Sequence, residues 1–351
     1  MLRCTLPFLA TASAAMRPSC RLARRIEPFS RAAVTMSTTT PKPGSLVSVS
    51  FTLASEGGDA LPEDVAVFDQ GDVRLVVGAG GFIPGLHKSI PLLETVGKEQ
   101  TFKLSPAECF GDANPNLGPI TVPKEQAPPG LAAGDRVRLS NGLKARVTAI
   151  DDEGGVTIDA NHPFAGQPLE LTAMLKAEPV SAAEVLREAT FAAGCFWGVE
   201  LAYQRQPGVI TTEVGYTQGE LSEPTYEAVC SGATGHTEAI RLQYDPNEVS
   251  YEELCALFWD RLGQSRYLLN QVGNDRGTQY RHGIYPHDEE QMAVAAASLK
   301  EAEAEAGGKT IHTEICKATK FWPAEDYHQQ YLQKGGQSAR KKAEEEIRCY
   351  G

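Results

Sequence analysis

Residues 46–53, LVSVSFTL, alternate apolar and polar positions with a period of two, the pattern of a half-buried strand. DVRLVVGAG and KEQTFKLSP repeat it, with Gly and Pro punctuation between them. From 130 to 176 further strand-like runs follow, GDRVRLS, KARVTAI, GVTID and PLELTAMLKAE, separated by NG and DDEGG turn signals. One short helix, LHKSIPLLET, interrupts this β-rich half. After Pro179 the period changes. CFWGVELAYQR, SYEELCALFWDRLG, DEEQMAVAAASLKEAEAEAG and QSARKKAEEEIR carry helical spacing, while TEVGYT, TEAIRLQYD and HGIYP read as strands between them. The pattern predicts an α+β chain: a linker at 38–45, a β-rich domain, a boundary near 180 and an α/β domain. No fixed-period repeat is apparent.

Length and composition fit that division, since 351 residues imply two domains plus an extension. With 42% apolar and 22% charged residues the chain reads as soluble and globular. No window approaches the roughly 18 uninterrupted apolar residues of a membrane span, so no membrane partner is expected. The net charge of −12 and the lack of a basic face argue against nucleic acid. That charge is unevenly placed. Residues 1–36 hold six arginines, no lysine and one acid, Glu27, so this segment is +5 and the remainder −17. An Arg-rich, acid-poor leader is the composition of an organellar transit peptide, a plastid placed ahead of a mitochondrion. Its apolar stretch CTLPFLATASAAM also suits a signal sequence ahead of a transit sequence.

Eight cysteines include no Cys-x-x-Cys pair, and their wide spacings suggest neither a metal site nor a disulfide scaffold. Cys4 and Cys20 lie in the leader; Cys255 and Cys316 sit in apolar contexts that read as core. Cys195 differs, because ATFAAG fits a strand and FWGVELAYQR a helix, with the cysteine at their junction. Unpaired N–H groups at a helix start favour negative charge, so the position predicts a lowered pKa and a nucleophilic thiolate. Gly194 permits the sharp turn. Phe196 and Trp197 read either as core or as pocket walls.

The string GCFWGVE is followed by GYTQGELSEPTYEAVCSGATGHTEAI, GNDRGTQYR and EDYHQQYL. In order and spacing these resemble the A-type peptide methionine sulfoxide reductases over 186–351. The resemblance implies a ferredoxin-like α/β fold and thiol-dependent reduction of methionine (S)-sulfoxide in proteins and peptides. Cys195 would be the nucleophile, Glu238 the acid that protonates the departing oxygen, and Tyr226 and Tyr280 the phenols that hydrogen-bond it. Phe196 and Trp197 would hold the substrate methyl group, and Asp275 and His328 would grip its backbone. His236 stays outside the catalytic set as a structural histidine. The resulting sulfenic acid would condense with Cys349 in the tail, RCYG, with Cys230 as the rival resolving thiol. A thioredoxin-like reductant and oxidised or unfolded protein clients are the implied partners, and no cofactor is called for. One departure is the segment RLGQSRYLL, where many members carry His-Asp-Pro.

In the first half, GGFIPGLHKSIPLL, VGKEQTFKLSPAECFGDANPNL and NHPFAGQPLEL resemble FKBP-type prolyl isomerases of the SlyD-like subclass. The match spans 44–178 and implies an antiparallel β half-barrel with a flap domain inserted at about 114–162. Its pocket would be formed by Phe51, Phe68, Asp69, Ile83, Leu86 and Phe110. Phe110 replaces the usual tyrosine and Leu171 an expected aromatic, so client binding with weakened isomerase turnover is expected. The metal-binding tail of some SlyD-like members is missing. Two other function classes fit parts of the chain: a thiol peroxidase using Cys195 and Cys349, and a chaperone with a redox-sensing tail.

Overall fold

The computed structural model describes residues 40–58, 61, 68–139 and 144–349. The leader at 1–36, with its targeting reading, lies outside the described residues. In the first half, β1 (Ser45–Ser55), β2 (Gly71–Val76), β3 (Gln100–Leu104) and β8 (Leu169–Leu175) form an antiparallel sheet ordered β2-β1-β8-β3. The period-two pattern is realised in β8, where Leu169, Leu171, Ala173 and Leu175 are buried in alternation with less buried neighbours. Helix α1 (Pro84–Ser89) covers one face of this sheet through Leu86, with proline inside its first turn.

Between β3 and β8 the chain leaves this sheet and builds a second one. Strands β4 (Ile120–Val122), β5 (Arg136–Arg138), β6 (Lys144–Ile150) and β7 (Val156–Asp159) pair antiparallel in the order β4-β7-β6-β5. They close over a small core of Ala145, Val147, Val156 and Ile158. A short β9 (Val180–Ser181) then returns to β1, and α2 (Ala182–Val185) leads out.

The second half is organised by β10 (Arg187–Ala192), β11 (Val209–Thr217) and β12 (Thr237–Tyr244). Shorter strands β15 (Gly283–Ile284), β16 (Glu314–Ile315) and β17 (Trp322–Pro323) complete a six-stranded sheet ordered β16-β15-β10-β12-β11-β17. A hairpin of β13 (Gln271–Val272) and β14 (Asp275–Arg276) stands apart. The helices are α3 (Phe196–Gln204), α4 (Tyr226–Cys230), α5 (Tyr251–Leu262), α6 (Glu289–Glu305) and α7 (Tyr331–Lys334). Phe191, Tyr203, Val214, Ile240 and Phe258 fill the core between α3, α5 and the sheet. None of these helices is long and apolar enough to cross a membrane.

The caps explain where the longer helices start. Ser250 and Glu253 form a reciprocal capping box on α5, and the Asp288 carboxylate accepts the Gln291 N–H on α6. Helix α3 has no side-chain cap; its N-cap residue is Cys195. Its first N–H groups are therefore left for the site.

The predicted helix QSARKKAEEEIR does not form. Residues 337–349 run as an irregular strap across α3 instead. Its helical spacing is outweighed by specific anchors: the Arg205 Nε donates to the Ser338 carbonyl at 2.8 Å, and the Lys342 N–H donates to the Arg205 carbonyl at 2.9 Å. The Lys341 ammonium donates to the carbonyls of Gln204, Gln206 and Val209, at 2.7, 3.2 and 2.6 Å. A cation on the orphan carbonyls of a helix end is favourable on both hydrogen-bond and dipole grounds.

The two halves pack together. Arg74 of β2 pairs with Asp245 at 2.6 Å and with Glu248, and Leu46, Val76, Ala182 and Leu186 form a shared apolar patch. In the six-stranded sheet Gly215 permits close approach of β17: an added Cβ would lie 2.6 Å from the Phe321 ring and against the Trp322 carbonyl. Gly215→Ala is expected to destabilise this half by about 1–3 kcal/mol, as overpacking does, read as a lower urea midpoint.

Candidate functional site

Gly194 has φ +83, which L side chains rarely adopt, and an added Cβ there would strike Val272 of the hairpin. This turn brings β10 into α3 and sets Cys195 at the helix start. The Phe196 N–H donates to the Glu238 carboxylate at 3.1 Å, and the Trp197 and Gly198 N–H groups favour negative charge on the Cys195 and Cys349 sulfurs in turn. All cysteines described are unpaired by disulfide, and the Cys195 thiol donates its hydrogen bond to Cys349.

This arrangement corrects the expectation for Cys195. Its thiol is pushed well above the ordinary range, first because it is the donor to Cys349, then by burial and by the Glu238 charge. Cys349 is instead pushed down to about 7, by the Cys195 hydrogen bond, the Arg261 guanidinium and the Gly198 N–H. With the tail seated, the pair's negative charge rests on the tail sulfur. The helix start still favours charge, but it serves both sulfurs.

Glu238 comes from β12 and is 2% exposed. Burial raises its carboxyl to about 8; the Phe196 N–H opposes the shift, while Asp275 and Cys349 add to it. Tyr226 opens α4, whose N-cap Thr225 accepts the Ala228 N–H. Its phenol is raised by burial and then by donating to Cys230, an exposed thiol one turn along. Tyr280 lies in the 3-10 turn Thr278–Tyr280 and is raised by burial, with Glu238, Tyr226, Asp275 and Cys195 acting on it electrostatically. Cysteine, carboxyl and both phenols thus share one site.

The apolar wall differs in detail from its reading as two aromatics and a substrate-gripping histidine. Phe196 is 1% exposed, and Trp197 stacks on Tyr331 at 4.0 Å between centroids. His328 is buried behind the indole: the Trp197 Nε1–H donates to its Nδ1 at 3.1 Å, and its ring contacts Phe196 and Tyr226. Burial lowers its pKa, so the imidazole is neutral, and it fixes the indole from behind. The string EDYHQQYL supplies Tyr331 along with His328 without giving it a role, and Glu325 was not singled out by the sequence. Glu325 accepts both the Tyr216 hydroxyl at 3.0 Å and the Tyr226 N–H at 2.9 Å, and so fastens the EDYHQQYL segment to the start of α4. Its signal was an acid three residues before the histidine in that string.

The segment that departs from the His-Asp-Pro pattern is held by other contacts. Arg266 donates from Nε to the Gly263 carbonyl at 2.8 Å and from Nη2 to the Trp259 carbonyl at 2.9 Å. The Ser265 hydroxyl accepts the Gly273 N–H at 3.0 Å, which ties the segment to the hairpin carrying Asp275. Cys255 is buried as expected, whereas Cys316 is exposed because the short β16 at the sheet edge leaves it outside the core. His236 is buried, its Nδ1 accepting the Gly219 N–H and its Nε2 facing the Leu221 carbonyl at 2.8 Å, the environment of a structural histidine.

In the first half Phe51, Phe68, Ile83 and Leu86 are buried, and Phe110 stacks on His162 at 3.7 Å. Phe82, not foreseen, closes the cluster at 6.0 Å from Phe51 and 5.7 Å from Phe68. The Asp69 carboxylate accepts the Lys341 N–H of the tail strap at 3.1 Å. A cavity of about 570 Å³ runs between Phe68, Asp69 and Phe82 on one side and Gln204, Gln333 and Lys341 on the other. It is lined by none of Cys195, Glu238, Tyr226 and Tyr280.

The family model described as peptide methionine sulfoxide reductase matches residues 187–348. The rice (Oryza sativa subsp. japonica) peptide methionine sulfoxide reductase A2-1 is 55% identical over 171 residues, 49% of this chain and 90% of that protein. The Arabidopsis thaliana relative named peptide methionine sulfoxide reductase A4, chloroplastic, is 54% identical over 168 residues, 46% of this chain and 64% of that one. A solved structure of methionine sulfoxide reductase A from Corynebacterium diphtheriae is 36% identical, covering 42% of this chain and 74% of that chain, with a TM-score of 0.40.

The raised Glu238 carboxyl has a measurable consequence. A folded pKa of about 8 against an ordinary value of 4.5 gives stability that is full below pH 4.5 and lost as pH rises toward 8. Glu238→Gln keeps an acceptor for the Phe196 N–H and removes that loss. The variant is expected to outlast the parent in urea by an amount growing between pH 5 and 8, to the order of several kcal/mol. Buried Glu200, raised to about 7, titrates in the same window in both proteins and cancels in the comparison.

Proposed function

The chain belongs to the peptide methionine sulfoxide reductase family and is an oxidoreductase of that family, and on that premise we propose how its own residues carry the reaction. Cys195 attacks the sulfoxide sulfur. As it does so, its thiol proton passes along the existing hydrogen bond to Cys349, so the shared negative charge moves to the attacking atom. Glu238, protonated at neutral pH, gives its proton to the oxygen, which Tyr226 and Tyr280 hydrogen-bond. The S–O bond of the substrate breaks, methionine leaves and Cys195 becomes the sulfenic acid. Phe196 and Trp197 take the methyl group, His328 positions the indole, and Asp275 faces the substrate backbone.

Cys349 then attacks the sulfenic sulfur, and the expelled hydroxide leaves as water with the Cys349 proton. The disulfide lies on a terminal strap, where a thioredoxin-like dithiol reduces it by exchange. The observation that carries this reading is the meeting of three groups at one helix start: the Glu238 carboxyl on the Phe196 N–H, Cys195 as the N-cap residue, and the Cys349 sulfur against Gly198. It also disfavours a thiol peroxidase, which needs neither an apolar wall for a methyl group nor a protonated carboxyl beside it.

The proposal extends to the first half, read as an FKBP-type, SlyD-like domain (44–178) that binds proline-bearing or unfolded clients for the reductase domain (186–351). Its support is the aromatic cluster around Phe51, Phe68 and Phe82 and the separate sheet inserted between β3 and β8. An apolar cradle lowers the ~20 kcal/mol isomerisation barrier by favouring the twisted amide. The leader is read as a transit peptide, and a plastid is the proposed compartment, consistent with the chloroplastic name of one relative.

Thioredoxin-driven turnover is expected with the S epimer of a methionine sulfoxide peptide and not with the R epimer; failure with both sinks the reading. Cys195→Ser should abolish turnover. The rate should form a bell, falling below about pH 7 as the sulfur pair takes up a second proton and above about pH 8 as Glu238 loses its own. Intact mass and peptide mapping after stoichiometric sulfoxide should find Cys195 joined to Cys349. In the first half, Phe110→Tyr restores a hydroxyl to the pocket and is expected to raise prolyl isomerisation about ten-fold, the worth of one hydrogen bond in the transition state.

A further inference from the structure

Two residues outside the expected set lie beside the tail sulfur. Gly198 stands one turn after Cys195 on α3, and an added Cβ there would run into the Cys349 sulfur. The same Cβ would lie 3.3 Å from Arg261 Nη2 and 3.7 Å from the Ile347 side chain. The strap therefore enters a notch that exists because position 198 has no side chain. Arg261, in the last turn of α5, reaches this notch from the opposite helix. Its Nε is buried with no hydrogen-bond partner among the described residues, and its charge lies close enough to lower the Cys349 pKa.

We propose that Gly198 and Arg261 form a seat for the Cys349 thiolate and are positioning residues for the step that closes the disulfide. The inference rests on the reading of Cys349 as the resolving thiol. In that step Cys349 gives up its proton, its sulfur donates an electron pair to the Cys195 sulfenic sulfur, the S–OH bond breaks, and the hydroxide leaves as water with the proton that Cys349 released. No further oxidant or reductant enters. The seat acts twice: the missing Cβ sets the distance of approach, and the guanidinium keeps the attacking sulfur ionised. The groups facing Cys349 are Cys195 and the Gly198 N–H from α3, Arg261 from α5, Asp275 from the hairpin and Glu238 from β12. Arg261 is the cation among them.

The test follows closure directly. The full chain is reduced, freed of reductant and mixed with one equivalent of sulfoxide. Methionine release is measured alongside disulfide formation by quenched mass mapping, across pH 5–9. The parent is expected to close faster as pH rises through the ionisation of Cys349, which defines the midpoint. Arg261→Met should move that midpoint up by about one pH unit, slowing closure about five-fold at pH 7, while Arg261→Lys keeps the charge and restores most of the rate. Gly198→Ala should prolong the sulfenic acid, seen as a larger dimedone adduct on Cys195.

Folding of the alanine variant is controlled by a cycle. Gly198→Ala should lower the thermal midpoint by about 2–10 °C in the parent and far less in a Cys349→Ala background, where the clash is gone. An unchanged pH midpoint in Arg261→Met, or an equal thermal loss in both backgrounds, overturns the seat. Methionine release by the parent without a Cys195–Cys349 bond overturns the resolving reading beneath it, and the seat with it.

Discussion

The start of one helix is the constraint on which the rest of this site depends. A nine-residue helix leaves its first N–H groups without intrahelical partners, and in α3 no side chain caps them. The first takes the Glu238 carboxylate from β12, and those that follow favour charge on two sulfurs, one on the N-cap residue itself and one on the strap. Replacing Cys195 by a better cap such as Ser or Asp would satisfy the helix and empty the site. Local helix stability is thus given up for chemistry, and the loss is offset by burial of Phe196, Val199, Leu201 and Tyr203 against the sheet.

The strap ties the two ends of that helix together. Lys341 holds the C-terminal carbonyls while Cys349 sits over the first turn. Arg205 binds the strap midway, at Ser338 and Glu345. These contacts are polar, each a single hydrogen bond worth about 1 kcal/mol or somewhat more, added over a short length. That is the balance a resolving thiol requires: enough order to find its partner sulfur, and too few buried apolar groups to prevent departure once the disulfide has to meet a reductant. The same strap also lends the Lys341 N–H to Asp69.

What the sequence revealed was local, and what it hid was long-range. Period-two runs located β1, β3 and β8, and helical spacing located α3, α5 and α6, because each pattern acts over a few neighbouring residues. The motif strings brought Cys195, Glu238, Tyr226 and Tyr280 onto one site. The tail failed this reading: QSARKKAEEEIR has good helix formers, yet its conformation is decided by carbonyls at Gln204 and Val209 that no local window contains. The charge of Cys195 failed for the same reason. A helix start is visible in the sequence, whereas the proton shared with Cys349 depends on where the strap lands. Glu200, Arg261 and Gly198 are likewise ordinary letters whose roles appear only when opposite elements meet.

The segment RLGQSRYLL shows which part of such a site is constrained. It lacks the His-Asp-Pro letters, yet it still delivers the hairpin whose Val272 packs on Gly194 and whose Asp275 faces Glu238. Arg266 does this by closing the end of α5 through the Gly263 and Trp259 carbonyls and lying over the Trp259 ring, and the Leu268 carbonyl lies 3.0 Å from His282 Nε2. Different hydrogen bonds therefore reach the same placement. The requirement on this stretch is positional: Val272 has to close the Gly194 turn that presents Cys195, and any chemistry that fixes the hairpin there meets it. At position 198, by contrast, no second solution exists, because only the absence of a side chain leaves room for a sulfur.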